Sequence, residues 1–600
     1  MTSKPLSANR FLLLSASALA LLGGATFPAH AQTPTSNVYA FTDLHAQAVA
    51  ANSSLGNSQG DGISGDFAVG AGQNLSLAGG VPFRAVRWNL LTGTATNLHS
   101  QIAASGISIG GTVSSRAVAT SNGAAVGYAN PLGSSQETAL LWNADNTVTN
   151  LQSVLTSSGV QRNDSRAVAI ADGFSVGSGT VSLSSGVPRR AVRWNLTNST
   201  AVSLHTQIAA SGITLGSGAV SDAFGTANGR SVGYGGDLAQ NLALLWNANN
   251  TVTNLHTQLA GSGITLDGSV ASAIANDTAV GYGFGTSVTG MPRLRALRWN
   301  LADNTATNLH TQITTSGLNL GTGISSAATG TAGGVSVGYA SGSSTPGNVA
   351  LLWRTDDTAL NLQSFVTNGG TTSQANALDA ATGIIAGTSG DHAVLWTPLN
   401  AGVGGANALV VRSGATTTIN QTFTQNAGAA TINGVLSMGS NLFILAGGTL
   451  GGDGTIIGDI VNTGGTIAPG NSPGTLSVGN FSQSGGVYEI EIAGTGAGQF
   501  DVLNVATTAN FTGGAFSLSY LSGYTPTVGD FFDVVTTGIG LAGTENVAVP
   551  VGWTFALSTA NSFSGRLSFV GAAVVPEAGT WSLLAIGLSL GAAGAARRRK

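Results

Sequence analysis

The sequence predicts an all-β protein: a seven-bladed β-propeller, then a β-helix or β-solenoid segment, with an N-terminal signal peptide and a single C-terminal membrane-anchor helix. Three observations predict it. Trp88, Trp142, Trp194, Trp246, Trp299, Trp353 and Trp396 recur in one motif at intervals of 54, 52, 52, 53, 54 and 43 residues, and a repeat of that length marks an array of supersecondary units. Within each unit apolar and polar residues alternate with the period of two that a strand requires. Beyond residue 405, Gly-Gly and Asn-Gly corners cut the chain into short Ile, Val and Leu runs.

Composition narrows the chemistry. The 600 residues have room for two or three domains. Only 8% of them are charged, and 88 glycines stand against 14 prolines, a balance that suits short strands joined by tight turns. Cysteine is absent, which excludes disulfide staples and thiolate chemistry. Lysine occurs only at Lys4 and Lys600, so no basic patch recruits nucleic acid.

Residues 1–31 have the layout of a secretory signal peptide. Lys4 and Arg10 form the basic start, Phe11 to Leu22 the apolar core, and Ala29-His30-Ala31 a small-x-small cleavage site, with Ala29 and Ala31 as its small residues.

Residues 41–400 hold the seven units. The tryptophan motif reads RAVRWN, ALLWN, RAVRWN, ALLWN, RALRWN, ALLWR and AVLWT. Upstream of it lies a Val-Gly motif, from AVGAG at Ala68 through AVGYA at Ala125 to SVGYA at Ser336, degenerate in the last unit as IAGTS from Ile385. A third motif opens each unit, DLHAQ from Asp43 and then NLHSQ, NLQSV, SLHTQ, NLHTQ, NLHTQ and NLQSF. About four strand-like pieces per unit, seven times over, describe a propeller. The first unit opens with Phe41-Thr42-Asp43-Leu44 and the last stops after its tryptophan strand, so the N-terminal strand is expected to complete the last blade and remove the open edges. An open β-solenoid of the same units is the alternative. The Val126-Gly127-Tyr128 and Ala139-to-Trp142 pieces resemble the HAF family of extracellular repeats, which implies an exported repeat protein of undefined biochemistry.

Units alternate in kind. The first, third and fifth carry Arg-x-x-Arg-Trp, whereas even units place Leu141, Leu245 and Leu352 where the second arginine stands. Arg87, Arg193 and Arg298 are therefore candidate contacts to an anionic glycan, since the guanidinium fork matches a carboxylate. The plainer reading is an outer-strand arginine that pairs locally.

Residues 405–573 form the glycine-rich segment, read as the rungs of a β-helix and some terminal strands. The run Ala468-Pro469-Gly470-Asn471-Ser472-Pro473-Gly474, with YEIEIAGTGAGQFDVLNV after it, resembles the autotransporter passenger-associated repeat. No transporter barrel is expected from residues 516–573.

Residues 574–600 comprise Val575-Pro576-Glu577, an apolar run from Trp581 to Ala596, and the basic end Arg597, Arg598, Arg599 and Lys600. This tail resembles the PEP-CTERM sorting signal, with Ala578 in place of the second proline. The resemblance implies export, a membrane-held intermediate anchored by the tail helix, and an exosortase-type processing enzyme as partner.

No constellation for catalysis, cofactor or metal emerges. His45, His99, His205, His256 and His310 occupy one repeat position, one per unit, with Gln152 and Gln363 in their place in two units. Glu489 and Glu491 sit two apart on one strand face, read as solvated, and Asp501 is read as a turn residue. The expectation is an exported, non-enzymatic, structural or adhesive protein of a Gram-negative cell surface or extracellular matrix. The alternatives are a polysaccharide-binding propeller and a polysaccharide lyase or hydrolase. Expected partners are the processing enzyme, extracellular polysaccharide and the membrane, with nucleic acid excluded.

Overall fold

The computed structural model describes residues 39–571 apart from 53, 75–81, 182–187, 217, 238–239, 286–292, 400–408, 412, 414–415 and 559–562. It is all-β, with a propeller arrangement of four-stranded antiparallel sheets followed by a large body of parallel strands.

Six four-stranded sheets stand as discrete blades, spanning residues 59–97, 113–150, 166–203, 220–254, 268–308 and 325–361. In the first, Gln59–Ser64, Phe67–Gln73, Phe83–Asn89 and Thr94–Asn97 run as a meander. The first strands of successive blades lie against one another, which places them around the axis. Between the sixth blade and the first sit Ser373–Leu378, Ile385–Ser389 and His392–Pro398, with Tyr39–Asp43 paired antiparallel to the last of these.

The expectation of seven separate blades is therefore corrected to six. The seventh repeat stops after its tryptophan strand, so it has no fourth strand of its own. Tyr39–Asp43 fills that place, but its far edge pairs with Thr416–Thr418. The four strands consequently become one end of a sixteen-stranded sheet that continues into the C-terminal body. The Thr42 and Thr417 hydroxyls meet at 2.8 Å across this seam.

In the C-terminal body parallel strands stack in rungs. Leu450 pairs with Ala430 on one side and Ile467 on the other, and Phe443 lies between Phe423 and Ile460. Inward side chains from successive rungs form one continuous apolar core that includes Leu436, Ile456, Tyr488, Phe511 and Phe532. The antiparallel strands Phe531–Thr537, Ser564–Phe569 and Trp553–Leu557 end the stack.

The expected C-terminal anchor helix falls on residues 574–600, outside the described residues. Among the described residues no helix is long and apolar enough to cross a membrane. The apolar run from Trp581 to Ala596 falls short of the ~20 residues a helical span needs. The expected signal peptide, residues 1–31, lies outside them as well.

Candidate functional site: blade junctions and the channel mouth

Repeated side chains converge where blades meet. Each motif tryptophan is fully buried. Its indole N–H donates to a leucine carbonyl at the start of a short helical turn. Trp142 reaches Leu98 at 2.9 Å, Trp246 reaches Leu204 at 2.9 Å and Trp396 reaches Leu362 at 3.1 Å. The turn is the third sequence motif, which folds as a helix rather than a strand. Leu98–Ala104 is capped by Asn97, whose side chain accepts the Ser100 N–H. Leu98 and Ile102, four apart on one helical face, pack with Val69 and Ala85 of the first blade and Trp142 of the second.

The repeat-position histidines take part in the same junctions. His99 Nδ1 lies 2.8 Å from Ser115 Oγ, His205 Nδ1 2.8 Å from Ser221 Oγ, and His310 Nδ1 2.8 Å from Ser326 Oγ. Each serine also accepts a backbone N–H from the preceding blade, that of Ala85, Ala191 or Ala296. The hydroxyl hydrogen is then free to donate to Nδ1, which selects the neutral imidazole protonated at Nε2. Burial, reinforced by the nearby arginines Arg84, Arg190 with Arg162, and Arg295, lowers these three histidines from 6.5 to about 4.

Arg87, Arg193 and Arg298 lock odd blades to even ones. Arg87 donates to Gly123 O at 2.6 Å and to Asn146 Oδ1 at 2.5 Å. Arg193 donates to Gly229 O at 2.9 Å and Asn250 Oδ1 at 3.2 Å, and Arg298 to Gly334 O at 3.0 Å and Asp357 Oδ1 at 2.6 Å. Asn146, Asn250 and Asp357 all have left-handed backbones, a conformation that Asn and Asp tolerate in turns. Arg87 and Arg193 are buried, and the three guanidinium groups face the next blade's turns.

Glu489 and Glu491 are half-buried on Val487–Ile492, whose other face buries Tyr488, Ile490 and Ile492. Asp501 is buried. Its carboxylate accepts the Gly474 and Glu491 N–H groups, both at 2.8 Å, and so ties two rungs together. Burial raises it from 3.8 to about 6, against those two hydrogen bonds. Among the described residues no group of three His, Asp or Glu side chains is arranged to hold a metal ion.

The axis carries a second arrangement, which the sequence does not announce. Each innermost strand holds a one-residue bulge, at Asp61, Val118, Val168, Phe224, Ser272, Thr329 and Asn376. The motif glycine lies beside it. A Cβ on Gly127 would stand 1.9 Å from Arg116 O, and one on Gly233 2.0 Å from Asp222 O. The Val-Gly motif thus exists because the bulged strand's carbonyl occupies a side chain's space. Bulged side chains reach the neighbouring innermost strand: Thr329 Oγ1 donates to Ala375 O at 2.6 Å and Asn376 Nδ2 to Gly60 O at 2.7 Å.

Beside the bulges the channel wall is polar and aromatic. Arg116 grips Asp61 through two bonds, at 2.8 and 2.5 Å, and Arg166 meets Asp222 at 2.6 Å. Tyr128, Tyr234, Tyr282 and Tyr339 stand opposite Arg116, Asp222, Val270 and Ala327 in the strand register. A cavity of about 430 Å³ opens among the fused sheet, the first two blades and the sixth, lined by Gln59, Asp61, Arg116, Asn348, Gln374 and Asn376 among others.

Ala29 and Ala31, and Val575, Pro576, Glu577, Arg597, Arg598, Arg599 and Lys600, lie outside the described residues. Comparison of the chain with protein-family models gives no match, and comparison with curated proteins gives none.

Proposed function

We propose that this chain is an exported, non-enzymatic protein of a Gram-negative cell surface or extracellular matrix, with a structural or adhesive role. Its tail, through Val575-Pro576-Glu577 and the basic end, directs sorting by an exosortase-type enzyme. The observation that carries the reading is the use made of the repeated polar groups. The histidines, the alternating arginines and the tryptophan N–H groups bond one blade to the next. A rigid ring of small, weakly charged residues, joined through a continuous sheet to a stack of rungs, suits a spacer or scaffold outside the cell. Binding of polysaccharide at the channel mouth is a second reading, favoured by the polar cavity there.

The test is fractionation of the native host, with mass spectrometry of the mature termini. The expected result is a body that begins at Gln32 and is recovered from the surface or matrix, with Pro576-Glu577 processed. Recovery in the cytoplasm with an intact Met1 rejects export. Reducing-sugar release from a polysaccharide by the purified chain rejects the non-enzymatic role.

A further inference from the structure

We infer that the cavity at the channel mouth is a binding site for a neutral, hydroxyl-rich saccharide unit. This deepens the surface or matrix reading and rests on it only for the ligand's source. A volume of about 430 Å³ falls within the range of small-molecule sites.

The lining selects the ligand class. Gln59, Gln374 and Asn376 present amides, and Thr372 and Thr388 present hydroxyls, while the buried Ser373 hydroxyl already accepts the Ala350 N–H at 2.9 Å. Each of these groups both donates and accepts, as a sugar hydroxyl does. No hydrogen bond within the described residues uses the Gln59 or Gln374 side chain, so both amides are available to a guest. Asn376 is held by its Nδ2 bond to Gly60 O, which leaves Oδ1 to accept.

Charge argues against an anion. Arg116 is the one cation lining the cavity among the described residues, and Asp61 engages it through both carboxylate oxygens. The pair cancels, and each partner fixes the other's orientation, so the wall is rigid and polar without net charge. A uronate would meet the Asp61 carboxylate with no unpaired cation to offset it.

The experiment is calorimetric titration of the purified full chain with maltotetraose, cellotetraose and tetragalacturonate. The Gln59→Ala/Gln374→Ala double variant and a cavity-filling Thr388→Trp variant are titrated in parallel. The expected result is binding of a neutral oligosaccharide that weakens about tenfold or more in both variants, the scale of one good polar contact. Melting temperature and near-ultraviolet circular dichroism should match the parent. Neutral-sugar binding unaltered in folded variants overturns the site. Binding of tetragalacturonate alone overturns the ligand class. No binding of any of the three overturns the inference, and the surface assignment then stands or falls separately on the fractionation.

Discussion

Ser115 Oγ stands 2.8 Å from His99 Nδ1 while accepting the N–H of Ala85 from the preceding blade. One hydroxyl thereby joins a helix-borne imidazole to a neighbouring sheet, in a geometry that only neutral histidine completes.

Acid should loosen the propeller. His99, His205 and His310 are lowered from 6.5 to about 4. Between those values the unfolded chain binds more protons than the folded one, so stability is full above pH 6.5 and falls as pH drops through this window. A melting temperature several degrees lower at pH 4.5 than at pH 7.5 is expected by calorimetry. His99→Gln/His205→Gln/His310→Gln should flatten that slope, because Gln152 fills the equivalent place by donating to Arg162 O at 2.8 Å. An unchanged slope rejects the assignment.

The C-terminal body should respond with opposite sign. Asp501 is raised from 3.8 to about 6. The folded state holds the extra proton between those values, so its contribution is full below pH 3.8 and is lost as pH rises through 6. Asp501→Asn removes this dependence. It also leaves one of the Gly474 and Glu491 N–H groups unsatisfied, at a cost of about 1–3 kcal/mol, readable in urea midpoints at pH 7.5 and 5.

Replacing a motif tryptophan separates packing from hydrogen bonding. Trp246→Ala should destabilise by about 3–5 kcal/mol. Trp246→Phe keeps an aromatic ring but leaves Leu204 O without its donor, and should lose about 1–3 kcal/mol through that bond. Parental stability of Trp246→Phe in chemical denaturation would show that the hydrogen bond contributes nothing, and equal losses in the two variants that the retained ring contributes nothing.

Gly233→Ala tests the bulge. Its methyl group would stand 2.0 Å from Asp222 O, so the innermost strand must shift, at about 3 kcal/mol. Gly261→Ala is the control: a methyl group there would meet nothing within 4 Å, and the backbone φ is not positive. The control should be neutral or slightly stabilising in the same melt.

Arg193→Leu copies the residue that even units carry. It removes bonds to Gly229 O and Asn250 Oδ1 and should cost about 1–3 kcal/mol. Arg193→Lys should recover little, since a point charge cannot reach both acceptors as the planar fork does.

Much of this is legible in the chain. The tryptophan spacing locates the sheets, but a period of two does not tell inward from outward around Trp88, where Ala85, Val86, Arg87 and Trp88 are all buried. The alternation of Tyr488, Ile490 and Ile492 with two glutamates marks that strand's buried face correctly. The helical turns escape a strand-period reading, although Asn97 before Leu98-His99-Ser100-Gln101-Ile102 is an N-cap followed by an i, i+4 apolar pair. The bulges are illegible because an unpaired residue such as Val118 differs from its neighbours in pairing rather than composition. Counting tryptophans overstates the separate blades: whether Tyr39–Asp43 ends a sheet or bridges two depends on Thr416–Thr418, which resembles any other polar strand.

The arginine locks give the ring a parity. Each joins an odd blade to the even blade that follows, through acceptors in that blade's turns. Gain or loss of a single blade would set two of one kind side by side. The repeating unit of the first six blades is therefore a couple. Three couples make the six discrete sheets, and the residual gap is closed by strands that carry leucine, Leu395, before Trp396 as an even blade does. Those strands are shared with the C-terminal body, so this ring cannot be lengthened or shortened by one without rebuilding its junction to the rest of the chain.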